Sequence, residues 1–279
     1  MSLNFYCKEE ENSREESINR YKNIFKNYEK KTPSLSEALT QMFRSADLGK
    51  EKIKELTEDI INQCKDRIDP DFDIIKKKYE NITKEDAYII CSYTCESIDR
   101  AYSPYRILNR NLVSNDRQNG VKNISQYLYI FLKSLRKLPR YYPENKVLYR
   151  CLTCQVNLSE SNNNTVPYKI GNKQTFWGFT STYADAKMTY SFLRNNTGTI
   201  FSLNGDIWGY DIELFNWFHE KEILLEPERK FVISNVLPPF NGIIHIICEI
   251  LETNLILSDN KLESKLDSNE LKKMKIKII

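Results

Sequence analysis

The chain has 279 residues, of which 41% are hydrophobic and 12% aromatic, so it can bury a sizeable core, and the composition excludes a disordered protein. Its net charge is only +3 with lysines and glutamates interspersed, so no concentrated basic surface is predicted and we do not expect nucleic acid as a partner. No apolar run approaches the roughly 18 residues of a membrane-spanning helix, so we do not expect a membrane as a partner either.

The start of the chain is strongly charged. Charged residues begin at Lys8, too early for the apolar segment of a signal peptide, and we therefore expect an intracellular, cytoplasmic protein. The seven cysteines are then expected to be free thiols. Sparse apolar residues between Ile18 and Tyr28 recur at helical spacing, which predicts a peripheral charged helix over residues 1–31.

Residues 32–140 keep the helical period, and we interpret them as a helical lobe. Thr83 is followed three residues later by Asp86, ahead of an apolar run, which has the form of a capping box and predicts the start of a helix. A later apolar series from Ile124 to Leu138 predicts a helix that Pro139 ends.

The apolar period changes after Pro139. Short β-prone segments separated by turn signals predict a β-rich region over residues 141–251, followed by a C-terminal tail over residues 252–279. Runs of strands that follow runs of helices indicate an α+β fold rather than a doubly wound sheet. The predicted strands cover residues 146–155, 199–203, 223–225, 230–236 and 242–251, with turns at residues 226–228 and at Pro238-Pro239.

Several kinds of site have too few residues to be built. With only two histidines, a histidine-ligated metal or a nucleophile-histidine pair is disfavoured. Cys151 and Cys154 are three apart on a predicted strand and point to opposite faces, and Cys91 with Cys95 is the other candidate pair. We therefore expect structural thiols and no metal site. The eight glycines form neither a dinucleotide-binding nor a Walker-type phosphate loop.

Two acids stand directly before a predicted strand. If Glu222 opens that strand, Glu220 projects to the same side about 6 to 7 Å away, and both carboxylates can face one cleft. Paired carboxylates suit chemistry at the C1 carbon of a sugar, where one stabilises a transition state with oxocarbenium character and the other positions the nucleophile. A charged turn ahead of a strand is the alternative interpretation.

Two other segments carry polar residues in unusual places. Arg150 lies inside a β-prone segment whose neighbours are apolar, and a half-buried arginine usually has an anionic partner, either a ligand phosphate or a protein carboxylate. Residues 177–182, WGFTST, place aromatic rings beside hydroxyls, which suits stacking on a flat ring and hydrogen bonding to ribose. An edge strand with ordinary core aromatics is the alternative for that segment.

The order Arg150, then an aromatic-Ser-Thr strand, then Glu-x-Glu resembles the arginine-specific branch of the mono-ADP-ribosyltransferases, the R-S-ExE type. Further segments that resemble this family in order and spacing are KLP at 137–139, VLYR at 147–150, GTIF at 198–201 and EKEILLEP at 220–227, and more weakly TKEDA at 83–87, YT at 93–94 and LNRNL at 108–112. The resemblance covers roughly residues 72–250. It implies a helical lobe packed on a β-core of two sheets, with NAD in the cleft between them and 141–251 as the NAD-binding catalytic core.

The resemblance also implies roles for individual residues. Arg150 would hold the NAD phosphates and the nicotinamide ribose, Ser181 would bond the ribose and orient the catalytic acid, and Glu222 would be that acid. Glu220 would hold the acceptor guanidinium and take its proton. Trp177 and Phe179 would line the nicotinamide pocket, and Thr182 would bind the cofactor and support its strand.

Two positions depart from the family pattern. The family usually has glycine after the motif arginine, and here Cys151 follows Arg150; its backbone would still contact the nicotinamide amide. The hydroxyl triplet reads Ser181-Thr182-Tyr183, so a phenol replaces its last hydroxyl. Both changes predict reduced activity.

The function that the resemblance implies is transfer of ADP-ribose from NAD, or NADP, to an exposed arginine of a protein substrate, with release of nicotinamide. The alternatives are an NAD glycohydrolase, in which water is the acceptor, and a catalytically silent NAD-binding module. Glu220 argues against the first alternative, and the complete set of Arg150, Ser181, Glu220 and Glu222 argues against the second.

Overall fold

The structure, a computed structural model, describes residues 25–158, 168–193 and 197–251. Within these ranges a group of helices precedes two β-sheets, which confirms the α+β class. Residues 25–30 are helical, whereas the rest of the predicted peripheral helix and the predicted tail over 252–279 lie outside the described residues. Among the helices that the structure describes, none is both long and apolar enough to cross a membrane.

The helices that precede the sheets are amphipathic and bury their apolar faces in one shared core. The helices are α1 (Leu35–Arg44), α2 (Lys50–Ile68), α3 (Phe72–Lys78), α4 (Lys84–Thr94), α5 (Pro104–Leu112), α6 (Arg117–Leu135) and α7 (Ala186–Ser191), of which α7 follows the first strands.

The predicted capping box at the start of α4 is confirmed. The Thr83 hydroxyl accepts from the Asp86 amide at 3.1 Å, and the Asp86 carboxylate accepts from the Thr83 amide at 2.9 Å. Asp86 also pairs with Lys137, whose Nζ lies 2.6 Å away, and accepts from Ser134 at 2.9 Å. Its pKa is lowered by these hydrogen bonds, led by Lys137, against the opposing effect of burial. The cap therefore also fastens α4 to the end of α6.

The apolar series predicted for the last helix is buried as expected, from Ile124 through Leu138. The helix itself ends at Leu135, three residues before the predicted end. The Lys137 and Leu138 amides donate to carbonyls three residues back, so the chain leaves α6 through tighter turns before Pro139.

The strands form two sheets. The four-stranded sheet has the order β1-β6-β7-β4 and the five-stranded sheet the order β2-β5-β9-β8-β3, in which only β5 and β9 run parallel. The strands are β1 (Arg140–Tyr141), β2 (Val147–Leu152), β3 (Lys173–Phe176), β4 (Thr180–Thr182), β5 (Gly198–Asn204), β6 (Gly209–Asp211), β7 (Ile223–Leu225), β8 (Arg229–Phe240) and β9 (Ile243–Ile250).

The turn predicted at Pro238-Pro239 is wrong. Both prolines lie inside β8, next to a shift in its pairing with β9 between Leu237 and Phe240, where an unpaired amide is tolerated. The chain reverses instead at Asn241-Gly242, whose φ angles of 49° and 79° are those of a two-residue hairpin turn. Asn-Gly is the stronger turn signal, because both of its residues tolerate positive φ.

A buried ion pair joins the helices to the four-stranded sheet. The Arg136 guanidinium donates to both carboxylate oxygens of Glu226, at 2.9 and 2.6 Å, and the Tyr210 hydroxyl donates to the same carboxylate at 3.0 Å. Glu226 is only 1% exposed, so removing Arg136 would take the bidentate partner from a buried charge. This pair therefore holds the wall that carries β7 against the end of α6.

Candidate active site

The chain crosses from one sheet to the other between β3 and β4. Gly178 lies in this crossing, where a β-carbon would come within 2.7 Å of Asn109 Oδ1 on α5. The absence of a side chain at Gly178 leaves room for the Asn109 amide. Its Oδ1 accepts from the Phe179 amide at 2.9 Å, and its Nδ2 donates to the Phe179 carbonyl at 3.3 Å. A side chain from the helical lobe thus sets the position at which β4 begins.

Glu222 and Ser181 are brought together by neighbouring strands, because Ser181 on β4 pairs with Leu224 on β7. The Ser181 hydroxyl donates to Glu222 Oε1, and Asn216 Nδ2 donates to Glu222 Oε2 at 2.8 Å. Glu222 is 4% exposed. Burial raises the pKa of this carboxyl to about 7, and the hydrogen bonds from Ser181 and Asn216 oppose that rise.

The predicted geometry of the two acids is wrong in one respect. The strand begins at Ile223, and the Glu222 amide donates to the Glu220 carbonyl at 2.8 Å, so the two residues form a tight turn instead of an extended pair. The turn follows His219, whose φ of 55° redirects the chain. The alternative of a charged turn therefore describes the backbone correctly.

Glu220 is half-buried on that loop, and its carboxylate does not share the donors of the Glu222 carboxylate. Its Oε2 accepts from the Tyr183 hydroxyl at 3.1 Å. Burial raises the pKa of Glu220, and the bond from Tyr183 lowers it. Tyr183 is held in turn by a stacked contact with Phe192, with ring centroids 5.1 Å apart, and by two backbone bonds of 2.8 Å to Tyr149 on β2.

Arg150 is half-buried on β2, and no ion pair within the described residues includes it. Its Nη1 donates to the Ser181 carbonyl at 3.3 Å, and its guanidinium lies 5.6 Å from the centroid of the Phe176 ring. Burial lowers its pKa, which reflects the cost of holding this cation away from water. The side chain therefore presents a partly desolvated positive charge next to Ser181.

A cavity of about 630 Å³ opens between the helical lobe and the sheets. Its size falls in the usual range of ligand pockets, roughly 300 to 1,000 Å³. Among the described residues its lining includes three arginines and several aromatic rings but no aspartate or glutamate, which favours an anionic ligand with flat rings. The lining residues that matter most are Arg106, Arg110, Arg150, Tyr105, Tyr93, Phe176, Trp177 and Ser181.

The structure brings some of the predicted site residues to this cavity. Arg150, Trp177, Phe179 and Ser181 line it. Glu222 is not part of the lining but is hydrogen-bonded to Ser181, which is. Glu220 lies on the loop that precedes Glu222 and does not line the cavity either.

Thr182 and Cys151 are not among the residues that line the cavity. That Thr182 and the backbone of Cys151 contact the cofactor stays a prediction. Thr182 is fully buried, and its hydroxyl donates to the Ile223 carbonyl at 2.6 Å, so it supports the strand pair. The Cys151 side chain packs in a small cluster with Ile200, and burial raises the pKa of its thiol to about 11. Neighbours on a strand point to opposite faces, and each of these residues follows one that faces the cavity.

Several residues of the site have no counterpart in the sequence reasoning. Asn216, which bonds Glu222, lies in the segment FNWF, where a polar residue between aromatics is a signal that it has a buried partner. Arg106 and Arg110 are four apart on α5 and so share one helix face, but only the tertiary structure shows that this face lines the cavity.

No protein-family model and no curated protein matches the chain. Solved structures do resemble it. The type III effector XopAI of Xanthomonas axonopodis pv. citri is 11% identical, with a TM-score of 0.54 over 88% of this chain and 96% of that one. The ADP-ribosyltransferase HopU1 of Pseudomonas syringae pv. Tomato DC3000 is 18% identical, with a TM-score of 0.51 over 69% of this chain and 87% of that one. At these identities the likeness concerns the fold alone, and it confirms the predicted ADP-ribosyltransferase type of fold.

Proposed function

We propose that this protein transfers ADP-ribose from NAD to the guanidinium of an arginine on a protein substrate and releases nicotinamide. One observation carries the proposal. A buried glutamate is hydrogen-bonded to a serine on the wall of the cavity, next to an arginine that forms no ion pair within the described residues. The ADP-ribosyltransferase fold supports the same conclusion.

The lining of the cavity fits NAD, or NADP, as the co-substrate. A dinucleotide is an anion with two flat ring systems, and arginines bind phosphate oxygens through paired donors. Arg150 on β2 would bind a phosphate, with Arg106 and Arg110 on α5 as further donors. Trp177 and Phe176 also line the cavity, and the Phe176 ring lies 5.6 Å from the Arg150 guanidinium.

Glu222 would act on the ribose that carries nicotinamide. Cleavage at that carbon develops positive charge on the sugar, and a nearby carboxylate stabilises it. Ser181 and Asn216 occupy one oxygen each and fix the plane of the carboxylate before the substrate arrives. Because the pKa of Glu222 is about 7, the ionised form that this role needs increases through neutral pH.

Glu220 would act on the acceptor. A guanidinium is always protonated and has no lone pair to attack with until a base orients it and accepts its proton. The Glu220 carboxylate is close in sequence to that of Glu222 but has its own donor, Tyr183, and it lies on the half-exposed loop that a protein substrate can approach. The division assigns one carboxylate to each reactant.

The test is a reaction of the full chain with labelled NAD and agmatine, a small free guanidine, with the products identified by mass. We expect nicotinamide together with an ADP-ribosyl adduct of agmatine, and any excess of nicotinamide over the adduct measures the hydrolysis of NAD. A parallel reaction with NADP gives the preference for the co-substrate.

Two other results would reject the proposal. Nicotinamide release without the adduct would identify an NAD glycohydrolase. No release, together with binding of NAD to the folded protein, would identify a silent NAD-binding module.

A further inference from the structure

Three cysteines meet inside the helical lobe, away from the cavity. Cys64 comes from α2, and Cys91 and Cys95 come from the last turn of α4 and the residue that caps it. All three are fully buried, and their sulfur atoms lie within 4.8 Å of one another. The sequence alone paired Cys91 with Cys95, and the structure adds Cys64 from a helix 31 residues before Cys95.

The distances fit a bound ion. Two sulfurs that each lie about 2.3 Å from a tetrahedral zinc ion are about 3.8 Å apart. The observed separation of Cys64 Sγ and Cys95 Sγ is 3.8 Å. A disulfide would use only two of these sulfurs and leave the third without a role.

The local field favours a cation. Cys91 and Cys95 lie at the C-terminal end of α4, and Cys64 lies one turn from the end of α2, so the negative ends of two helix dipoles meet near the cluster. The Cys91 carbonyl accepts from Cys95 Sγ at 3.5 Å and from the Thr94 hydroxyl at 2.9 Å. It is therefore an oxygen donor 3.5 Å from one of the three sulfurs, that of Cys95.

We propose that Cys64, Cys91 and Cys95 bind one Zn²⁺ ion, with the Cys91 carbonyl oxygen as a further donor. Thiolate ligands select zinc over magnesium or calcium, and iron–sulfur clusters generally need a fourth ligand. Binding converts three thiols into three thiolates and releases three protons, so the centre carries a net charge of −1. The buried guanidinium of Arg67, one turn after Cys64, partly offsets that charge.

The zinc site would brace the loop that leads to the catalytic acid. Arg67 Nε donates to the Asn216 carbonyl at 3.0 Å, and the Thr94 hydroxyl accepts from the Trp217 amide at 2.9 Å. Asn216 also bonds Glu222. The ends of α2 and α4 therefore hold the segment that positions Glu222, whatever reaction Glu222 carries out.

The test is metal binding by the full-length chain, prepared reduced and metal-free and titrated with Zn²⁺. We expect one equivalent to bind, and the X-ray absorption spectrum of that complex to report three sulfur ligands. Cd²⁺ in place of Zn²⁺ should give the ultraviolet charge-transfer band of cadmium thiolates.

Variants assign the ligands. Cys64→Ala and Cys95→Ala should each weaken Zn²⁺ binding about 100-fold or more, because a lost ligand costs more than a lost outer contact, which costs 10- to 100-fold. The matched control is Cys154→Ser, which removes an exposed cysteine outside the cluster and should keep the full affinity. A zinc spectrum with only oxygen and nitrogen ligands, or no binding by the parent chain, overturns the proposal even if the alanine variants fail to fold.

Discussion

The interior of the candidate site and its mouth each hold one glutamate, and the two are built differently. Glu222 is 4% exposed, lies at the start of a strand and has a hydrogen-bond donor on each oxygen. Glu220 is half-buried on a loop, and one tyrosine hydroxyl is the donor that the structure gives it. Burial raises the pKa of both, but the interior carboxyl is held in one orientation, whereas the outer one keeps an oxygen for another partner.

The two glutamates suit different steps of the reaction because one is enclosed and the other lies at the mouth of the site. A rigid, buried carboxylate suits stabilisation of charge on a substrate that is already enclosed, because nothing needs to reorganise during the reaction. A carboxylate at the mouth suits a partner that arrives from solution and differs from one reaction to the next. Changes at the two glutamates should therefore separate transfer from hydrolysis.

The largest difference between the effects on transfer and on hydrolysis should come from a change at Glu220, the glutamate at the mouth. Glu220→Gln removes the group proposed to orient and deprotonate the guanidinium, so transfer to agmatine should fall about 100- to 10,000-fold, the usual range for general acid-base catalysis. Hydrolysis of NAD, which uses water as acceptor, should largely survive. Rates of nicotinamide release and of adduct formation measured on the same sample give both numbers.

A change at Glu222, the interior glutamate, should affect transfer to agmatine and hydrolysis by water alike. Glu222→Gln removes the charge proposed to stabilise the developing cation, so transfer and hydrolysis should both fall by at least about 100-fold. The ratio of the two rates should stay that of the parent protein. If both glutamine variants change the two rates in the same ratio, the division of roles between interior and mouth is wrong.

The burial of Glu222 also predicts a pH dependence of stability. Its pKa rises from 4.5 to about 7 on folding, so ionisation in the folded state costs free energy that is absent below the lower value and complete above the upper one. Between pH 5 and pH 8 the Glu222→Gln variant should therefore gain stability relative to the parent, by up to about 3 kcal/mol.

Urea unfolding at the two pH values measures this difference. The control is Glu80→Gln, an exposed carboxylate that should leave the pH profile of the parent unchanged. Parallel profiles for the parent and the Glu222→Gln variant would show that Glu222 is not buried as described.

The same contrast explains what the sequence could predict. Helix periods, the capping box at Thr83 and the switch to short strands are local patterns, and they gave the α+β class. Arg150 lies on β2, and the register of β4 with β7 places Ser181 next to Glu222, which comes directly before β7.

The sequence did not predict those features of the site that depend on contacts between distant residues. The side chains of Thr182 and Cys151 face away from the cavity, because each follows a residue on its strand that lines it. Asn216 and Asn109 act through partners 6 and 70 residues away, which local patterns do not reveal. The geometry of Glu220 depends on a turn after His219, whose positive φ the sequence does not announce.

Variants of Arg150 test whether the interior of the site binds NAD. Arg150→Ala should weaken NAD affinity about ten- to a thousandfold, because a partly desolvated arginine in contact with an anion contributes a few kcal/mol. Arg150→Lys keeps the charge but not the paired donors of the guanidinium, so its affinity for NAD should lie between those of the parent protein and of Arg150→Ala. Calorimetric titration gives the values, and unchanged affinity in a folded alanine variant would remove Arg150 from the binding site.

The smallest effect should come from Tyr183, the residue that links interior and mouth. It lies two residues after Ser181 on the side of Glu220, and its hydroxyl donates to one Glu220 oxygen. Tyr183→Phe keeps the ring and its stacking on Phe192 but removes one hydrogen bond to a carboxylate, which is worth about 1.5 kcal/mol or roughly tenfold. Transfer to agmatine should fall by about that factor while NAD hydrolysis stays constant, and the pKa of Glu220 should rise, which moves the pH profile of transfer upward. The control is Tyr190→Phe, which alters an exposed tyrosine on α7 and should change neither rate. Equal losses in transfer and hydrolysis for Tyr183→Phe would mean that this tyrosine supports the fold of the site instead of positioning Glu220.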